Sequence, residues 1–249
     1  LALLGAALTF LDRAPEAAER FDEALERCEA AGDGLHKAAV LSNRVLLWLR
    51  QGDVSRMEAD LRRAMALGRE LAHAQMERWS TFNLAEVLYM QGRLDEALPL
   101  AQRAYELGVR FFREHPVPVD ALLLARIQAA SGDEAAAARQ LAWISERCPP
   151  ESLPPTAIMR RLVELQVHQQ TTGAFHATDW AALHTEADAL ASPDEKAEIL
   201  LQATVIARRT GAMEEARAWL ERAGPAVAEA PLWSTRFHAL RAALAPPAL

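Results

Sequence analysis

Cysteine is almost missing from this chain, with only Cys28 and Cys148 among 249 residues. Two thiols cannot build a disulfide framework, so a reducing, cytoplasmic setting is the default expectation. Lysine occurs only at 37 and 196, which leaves the 27 cations almost wholly arginine. Those cations are scattered among 34 anions for a net charge of −7. A nucleic-acid binder carries a basic stripe or face, and none is present, so nucleic acid is not an expected partner. No apolar run reaches the roughly 20 residues that a membrane-spanning helix requires, and no charged-then-apolar signal segment opens the chain. Glycine (11) and proline (13) are sparse, and nowhere do apolar and polar residues alternate over the length of a half-buried strand. What remains is dominated by Ala, Leu, Glu and Arg, all strong helix formers. With 51% apolar residues the chain can bury a core. The expected class is all-α. Leu1 already lies inside a helical pattern with no initiator Met before it, which reads as an excised or processed segment of a longer parent.

Internal periodicity organises the chain. Short breaks recur in LDRAPEAA, RQGDVSRM, MQGRLDEA, ASGDEAAA, TTGAFHAT and RTGAMEEA, with hinge residues Asp12, Gly52, Gly92, Gly132, Gly173 and Gly211. The numbers of successive hinges differ by forty three times, then by forty-one and by thirty-eight. Five residues after each hinge stand Ala17, Met57, Ala97, Ala137, Thr178 and Ala216. Nine after come Phe21, Leu61, Ala101, Leu141, Ala182 and Leu220, and twelve after come Ala24, Ala64, Ala104, Ile144, Thr185 and Ala223. Offsets of four and then three residues place these columns on one helical stripe. Seven residues before the hinge, Gly5, Val45, Ala85 and Ala125 leave room for close helix approach. The pattern reads as helix, tight turn and second helix, repeated about six times. Glycine at the break takes φ > 0 without penalty. A single hairpin cannot bury its own apolar stripe, so neighbours must stack.

These columns resemble the tetratricopeptide repeat: a small residue in the first helix, Gly at the hinge, then Ala–x3–Phe/Leu–x2–Ala. NLAEVLYMQGRLDEALPLAQRA, residues 83–104, carries the pattern most fully. The resemblance covers residues 1–147 and 195–224, and Pro149 falls where the family often ends its second helix. It implies a right-handed superhelical α-solenoid of about six hairpins plus a C-terminal capping helix. The corresponding single domain over 1–249 has units near 1–32, 33–72, 73–112, 117–149, 155–191 and 195–224, with the cap at 231–244. The period exceeds the family's usual 34 residues by about six. That longer form is similar to repeats in maltose-activator-like regulators and kinase- or ATPase-linked bacterial sensors, and in the kinesin light chain. The fifth unit is irregular: CPPESLPP predicts a kink at 149–155, with helices over about 155–171 and 179–191. Near the end, PLWSTRFHALRAAL puts Trp233, Phe237 and Leu240 on one face of the cap, ahead of a frayed APPAL tail.

Motifs that carry chemistry are few. Gly32 and Gly34 in AGDGLHK lack the spacing and hydroxyl of a phosphate loop and read as the connection between the first two hairpins. His184 and Asp188 share a helical face, but no second ligand pair accompanies them, and a polar helix face is the plainer reading. Cys28 and Cys148 occupy the same column, late in the second helix, where Gly68 and Gly108 stand in other units, so they read as fillers of a small slot. Three repeats apart, they are beyond the roughly 7 Å Cα limit of a disulfide. No Ser/His/Asp or Cys/His arrangement stands out. The expectation is a non-enzyme with no metal or cofactor.

The resemblance further implies that first helices line a concave groove. Asn43 and Asn83 both stand nine residues before a hinge, where the family often uses Asn to bond a peptide main chain. An amide donates and accepts together, which suits a peptide unit. Leu3, Leu123, Glu164 and Gln202 hold that place in other units. Around Asn83 gather Trp79, Phe82, Glu86 and Tyr89, with Arg50 and Arg126 from neighbouring units, and aromatics and Arg are the usual anchors of interfaces. The expected groove contacts are Asn43, Arg50, Trp79, Asn83, Glu86, Tyr89 and Arg126. Phe82 is better read as packing, and Trp48, four residues before Gly52, as core. The leading expectation is a protein- or peptide-binding scaffold within a larger signalling protein. Self-association into a homo-oligomer and small-molecule sensing are the alternatives.

Overall fold

The computed structural model describes residues 1–111, 118–147, 154–190 and 192–245. Among them there is no strand; the chain runs through α1 (Ala2–Phe10), α2 (Ala14–Ala30), α3 (Gly34–Gln51), α4 (Val54–Glu70), α5 (Ala74–Met90), α6 (Leu94–Phe111), α7 (Pro118–Ser131), α8 (Glu134–Arg147), α9 (Pro154–Thr172), α10 (Ala177–Leu190), α11 (Pro193–Arg209), α12 (Met213–Glu229) and α13 (Ser234–Leu244). A 3-10 turn, Pro231–Trp233, precedes α13. This is an all-α array of helical hairpins of the expected type.

All six expected hinges sit in the left-handed region: Asp12 at φ 56°, and the glycines at 68° to 87°. The turn closes by bonding two orphan carbonyls of the preceding helix. At Gly52, the Gly52 N–H donates to Leu49 O at 3.1 Å and the Asp53 N–H to Trp48 O at 2.9 Å. Asp53 then caps the next helix by accepting from the Arg56 N–H at 3.0 Å. Asp133 does the same for α8. The Gly–Asp pair therefore ends one helix and starts the next within two residues.

The packing columns hold wherever the second helix begins two residues after its hinge. Ala17, Phe21, Met57, Leu61, Ala97, Ala101, Ala137, Leu141, Ala216 and Leu220 are all buried. In the fifth hairpin the expectation fails. Thr178, Ala182 and Thr185 are exposed, and Trp180, Leu183 and Ala187 are buried instead. The reason is local: the segment after Gly173 is two residues longer, so α10 starts at Ala177, four residues past the hinge. A shift of two residues rotates a helical stripe by about 200°.

The column shared by Cys28 and Gly68 also has a physical cause. A Cβ on Gly68 would stand 2.6 Å from the Glu77 backbone nitrogen and 2.9 Å from its Cα, closer than van der Waals contact permits. Cys28, in the equivalent place, is half-buried and free, while Cys148 lies outside the described residues, as do residues 149–153 of the expected kink and 246–249 of the tail. Because the obstruction at Gly68 is backbone, it cannot rotate away. Gly68→Ala should therefore destabilise the protein by about 3 kcal/mol, at the upper end of overpacking costs, measured as a shift in the urea midpoint.

Contacts divide the chain into two compact units, Leu1–Val87 with Pro99–His115, and Leu88–Leu98 with Pro116–Leu249. In the first unit α1, α2, α3 and α4 pack on one another in sequence. Ala38, Leu41, Ala64 and Leu67 form a buried cluster there, with Leu25 and Met76 against it. In the second unit α7 and α11 are buried all round, over 120–130 and 197–207, and both are apolar around most of their circumference, as a central helix must be. The α13 helix packs on α12 and α11. Trp233 and Leu240 are buried as expected, and Phe237 is half-buried near Gly224.

Candidate partner-binding surface

First-helix positions thirteen, nine, six and two places before the hinge recur at helical spacing and so form one stripe. In the first unit that stripe reads Leu3, Ala6 and Phe10 on α1, then Ala39, Asn43, Leu46 and Arg50 on α3, then Trp79, Asn83 and Glu86 on α5. Leu3 is 82% exposed, Phe10 65% and Trp79 52%. Asn43 and Arg50 are exposed, while Asn83, Glu86 and the packing candidate Phe82 are half-buried. Helices α1 and α3 pack directly on each other. Met76 anchors α5 to the cluster beneath α3 and α4. Arg50 forms an ion pair with Asp12, at the hinge of the preceding hairpin, so the guanidinium is held over the surface rather than swinging free.

Below this surface the first unit is braced by a residue that the sequence did not single out. Asp60, 7% exposed, accepts from Arg44 Nε and Nη2 at 2.8 Å each and from Trp48 Nε1 at 2.7 Å. Arg44 also reaches Asp22 at 2.7 Å. Trp48 is buried, as expected of a core residue, with the guanidiniums of Arg44 (5.3 Å) and Arg56 (5.0 Å) against its ring. Residues 38–108, which include most of this surface, match the model of one protein family. That family is the tetratricopeptide repeat. The match spans α3 to α6, and no curated protein matches the chain. Tetratricopeptide repeats generally mediate protein–protein interaction and scaffolding.

Two expected contact residues are placed elsewhere. Tyr89, near the end of α5, is fully buried in the second unit, and Arg126 is 8% exposed. The Tyr89 hydroxyl donates to Glu198 Oε1 at 2.7 Å. Arg126 Nε donates to the same oxygen at 2.9 Å, and its Nη2 pairs with Oε2. Gln202 Nε2 donates to the Tyr89 oxygen at 2.9 Å, and Gln166 Nε2 to Gln202 Oε1 at 3.2 Å. Burial, with the Glu198 charge beside it, pushes the Tyr89 hydroxyl far above the ordinary tyrosine range. These side chains are spent on interior bonds, which corrects their assignment to an open groove. The sequence offered one hint. Glu198 stands on the mostly apolar run AEILLQATVIA of α11, where a lone carboxylate needs a partner.

The remaining candidates are peripheral. His184 Nδ1 is 3.7 Å from Asp188 Oδ2, with burial holding its pKa below the usual value, and its ring meets Trp219 edge-on. Gly32 and Gly34 flank Asp33, which caps α3 by accepting from the His36 N–H at 3.0 Å, so they form the connection between hairpins. Among the described residues, no group of three His, Cys, Asp or Glu is placed to hold a metal. No described helix is long and apolar enough to cross a membrane.

Proposed function

We propose that the first unit binds an extended protein segment across α1, α3 and α5, and that the chain is a non-catalytic interaction part of a larger cytoplasmic bacterial signalling protein. The observation that carries the reading is the exposed stripe itself. Large apolar side chains at Leu3, Phe10 and Trp79 stand in line with the amides of Asn43 and Asn83. Apolar anchors supply affinity by leaving water. Amides between them match a peptide main chain donor to acceptor. Near-neutrality favours a segment with apolar side chains over a polyanion, since Arg50 is already paired with Asp12. The long period of the hinges supports kinship with the long repeats of maltose-activator-like regulators and sensor proteins.

The test is a pull-down from source-cell lysate with wild type, Asn43→Ala/Asn83→Ala and Trp79→Ala. A protein held by wild type and lost by both variants, with circular dichroism unchanged, supports the reading. Equal retention by all three would place the partner elsewhere. If nothing is retained, light scattering over a concentration range tests self-association directly.

A further inference from the structure

The carboxyl-terminal segment of the second unit is bonded differently from the face it covers. That face carries its own hydrogen-bond network. Tyr89, Arg126, Glu198, Gln202 and Gln166 bond to one another, with no hydrogen bond contributed by Trp233 or Arg236. The segment adds these two side chains, one helical turn apart. Trp233, with no exposed surface, meets Tyr89 edge-on at 5.7 Å. Arg236, 9% exposed, lies 5.2 Å over the Tyr89 ring and 5.6 Å over Trp233. Two guanidiniums therefore lie against Tyr89, since Arg126 is also 5.2 Å from its ring.

Where the segment meets α11 the polar groups are poorly matched. Arg236 makes no ion pair among the described residues, and its Nη1 is buried without a partner. The indole Nε1 of Trp233 is buried beside Asp194 of α11, in a contact that falls short of ordinary hydrogen-bond geometry. Burial raises the Asp194 pKa, and the nearby indole only partly offsets that rise. Each unmatched buried group weakens docking. The junction is short and sharp: Ala230, at φ −127° and ψ 72°, ends α12 and leads into Pro231. A prebuilt receptor, an aromatic–cationic insert and a one-residue joint are the parts of a site occupied by its own chain.

We propose that this inner face is a binding site for a short helical segment carrying an aromatic and a cation three residues apart, held closed in cis by Trp233 and Arg236. The segment is a latch. A partner helix with the same Trp-x-x-Arg chemistry competes for Tyr89 and its network when the latch opens at Ala230.

Two measurements on the full chain test this. In native-state hydrogen exchange of the wild type, amides of α13 share one opening free energy below that of α11 and α12. Protection that declines steadily toward Leu244 would mean ordinary end-fraying, and protection equal to α11 would make α13 part of the cooperative core. Either result overturns the proposal. A labelled peptide of residues 230–244 is then titrated into wild type, Trp233→Ala and Arg236→Gln. It binds the variants about tenfold or more tighter than wild type, because a closed latch lowers apparent affinity by the open fraction. The same peptide lacking its Trp and Arg does not bind. The site is refuted if the intact peptide fails on both variants while α7 to α12 stay protected. Loss of that protection in both variants refutes the latch.

Discussion

Glu198→Ala is expected to cost the second unit about 3–5 kcal/mol, the range for removing one partner of a buried ion pair. Glu198 has no exposed surface and is the acceptor for both Arg126 and the Tyr89 hydroxyl. Its loss removes the carboxylate bonded to the buried Arg126 guanidinium and the acceptor of the Tyr89 hydroxyl, on a helix that apolar neighbours surround. Urea unfolding, with hydrogen exchange localising the loss to α11 and α7, measures the effect. Glu198→Gln should cost less because it still accepts from Tyr89. Arg126→Met combined with Glu198→Leu should recover much of the stability, since an apolar pair of similar volume leaves no charge behind. A double variant as unstable as Glu198→Ala alone would show that the cost lies in packing rather than in the lost ion pair.

Asp60→Ala should lower the stability of the first unit by about 3 kcal/mol, from the loss of an acceptor shared by a buried indole N–H and a guanidinium. The Arg44 cation keeps a second anion in Asp22, so its charge is not stranded. Trp48 Nε1 has no such reserve, which makes the indole the main source of the loss. Asp60→Asn retains an acceptor and is expected to cost roughly half as much. Hydrogen exchange along α3 and α4 should rise in the same order. If Asp60→Ala were neutral, the bracing role of Asp60 beneath the Asn43 surface would be wrong, whereas a partner lost without any loss of stability would make Asp60 a contact residue.

Legibility varied with the kind of information each feature needed. The hinges were readable because glycine at a positive φ is a local requirement, and six of them at near-constant separation leave little freedom. Where Asp12 replaces Gly, the column alone located the turn. In the fifth hairpin, columns counted from Gly173 miss the buried stripe. The two residues that delay α10 are cheap on the surface yet rotate every side chain after them. The slot at Gly68 was visible as a column of Gly and Cys, but its cause, the Glu77 backbone of a different helix, was not. Among the site residues, exposure at Asn43, Arg50 and Trp79 followed from the repeat. Phe10 belongs to the same stripe, two residues before its hinge, but that position holds Arg in the next unit, so its column carries no apolar signal.

The sequence by itself determined the helices, their turns and the stripe each hairpin buries, since these depend on a helical period of about 3.6 residues and on backbone freedom at single positions. Only the tertiary structure decided that Tyr89 and Arg126 are interior, that Glu198 joins them across 109 and 72 residues of chain, and that Trp233 and Arg236 lie against the same ring. A polar side chain on a first helix looks the same in sequence whether its neighbour is water or a carboxylate several repeats away. Burial sums contributions from distant parts of the chain, and no local pattern records that sum.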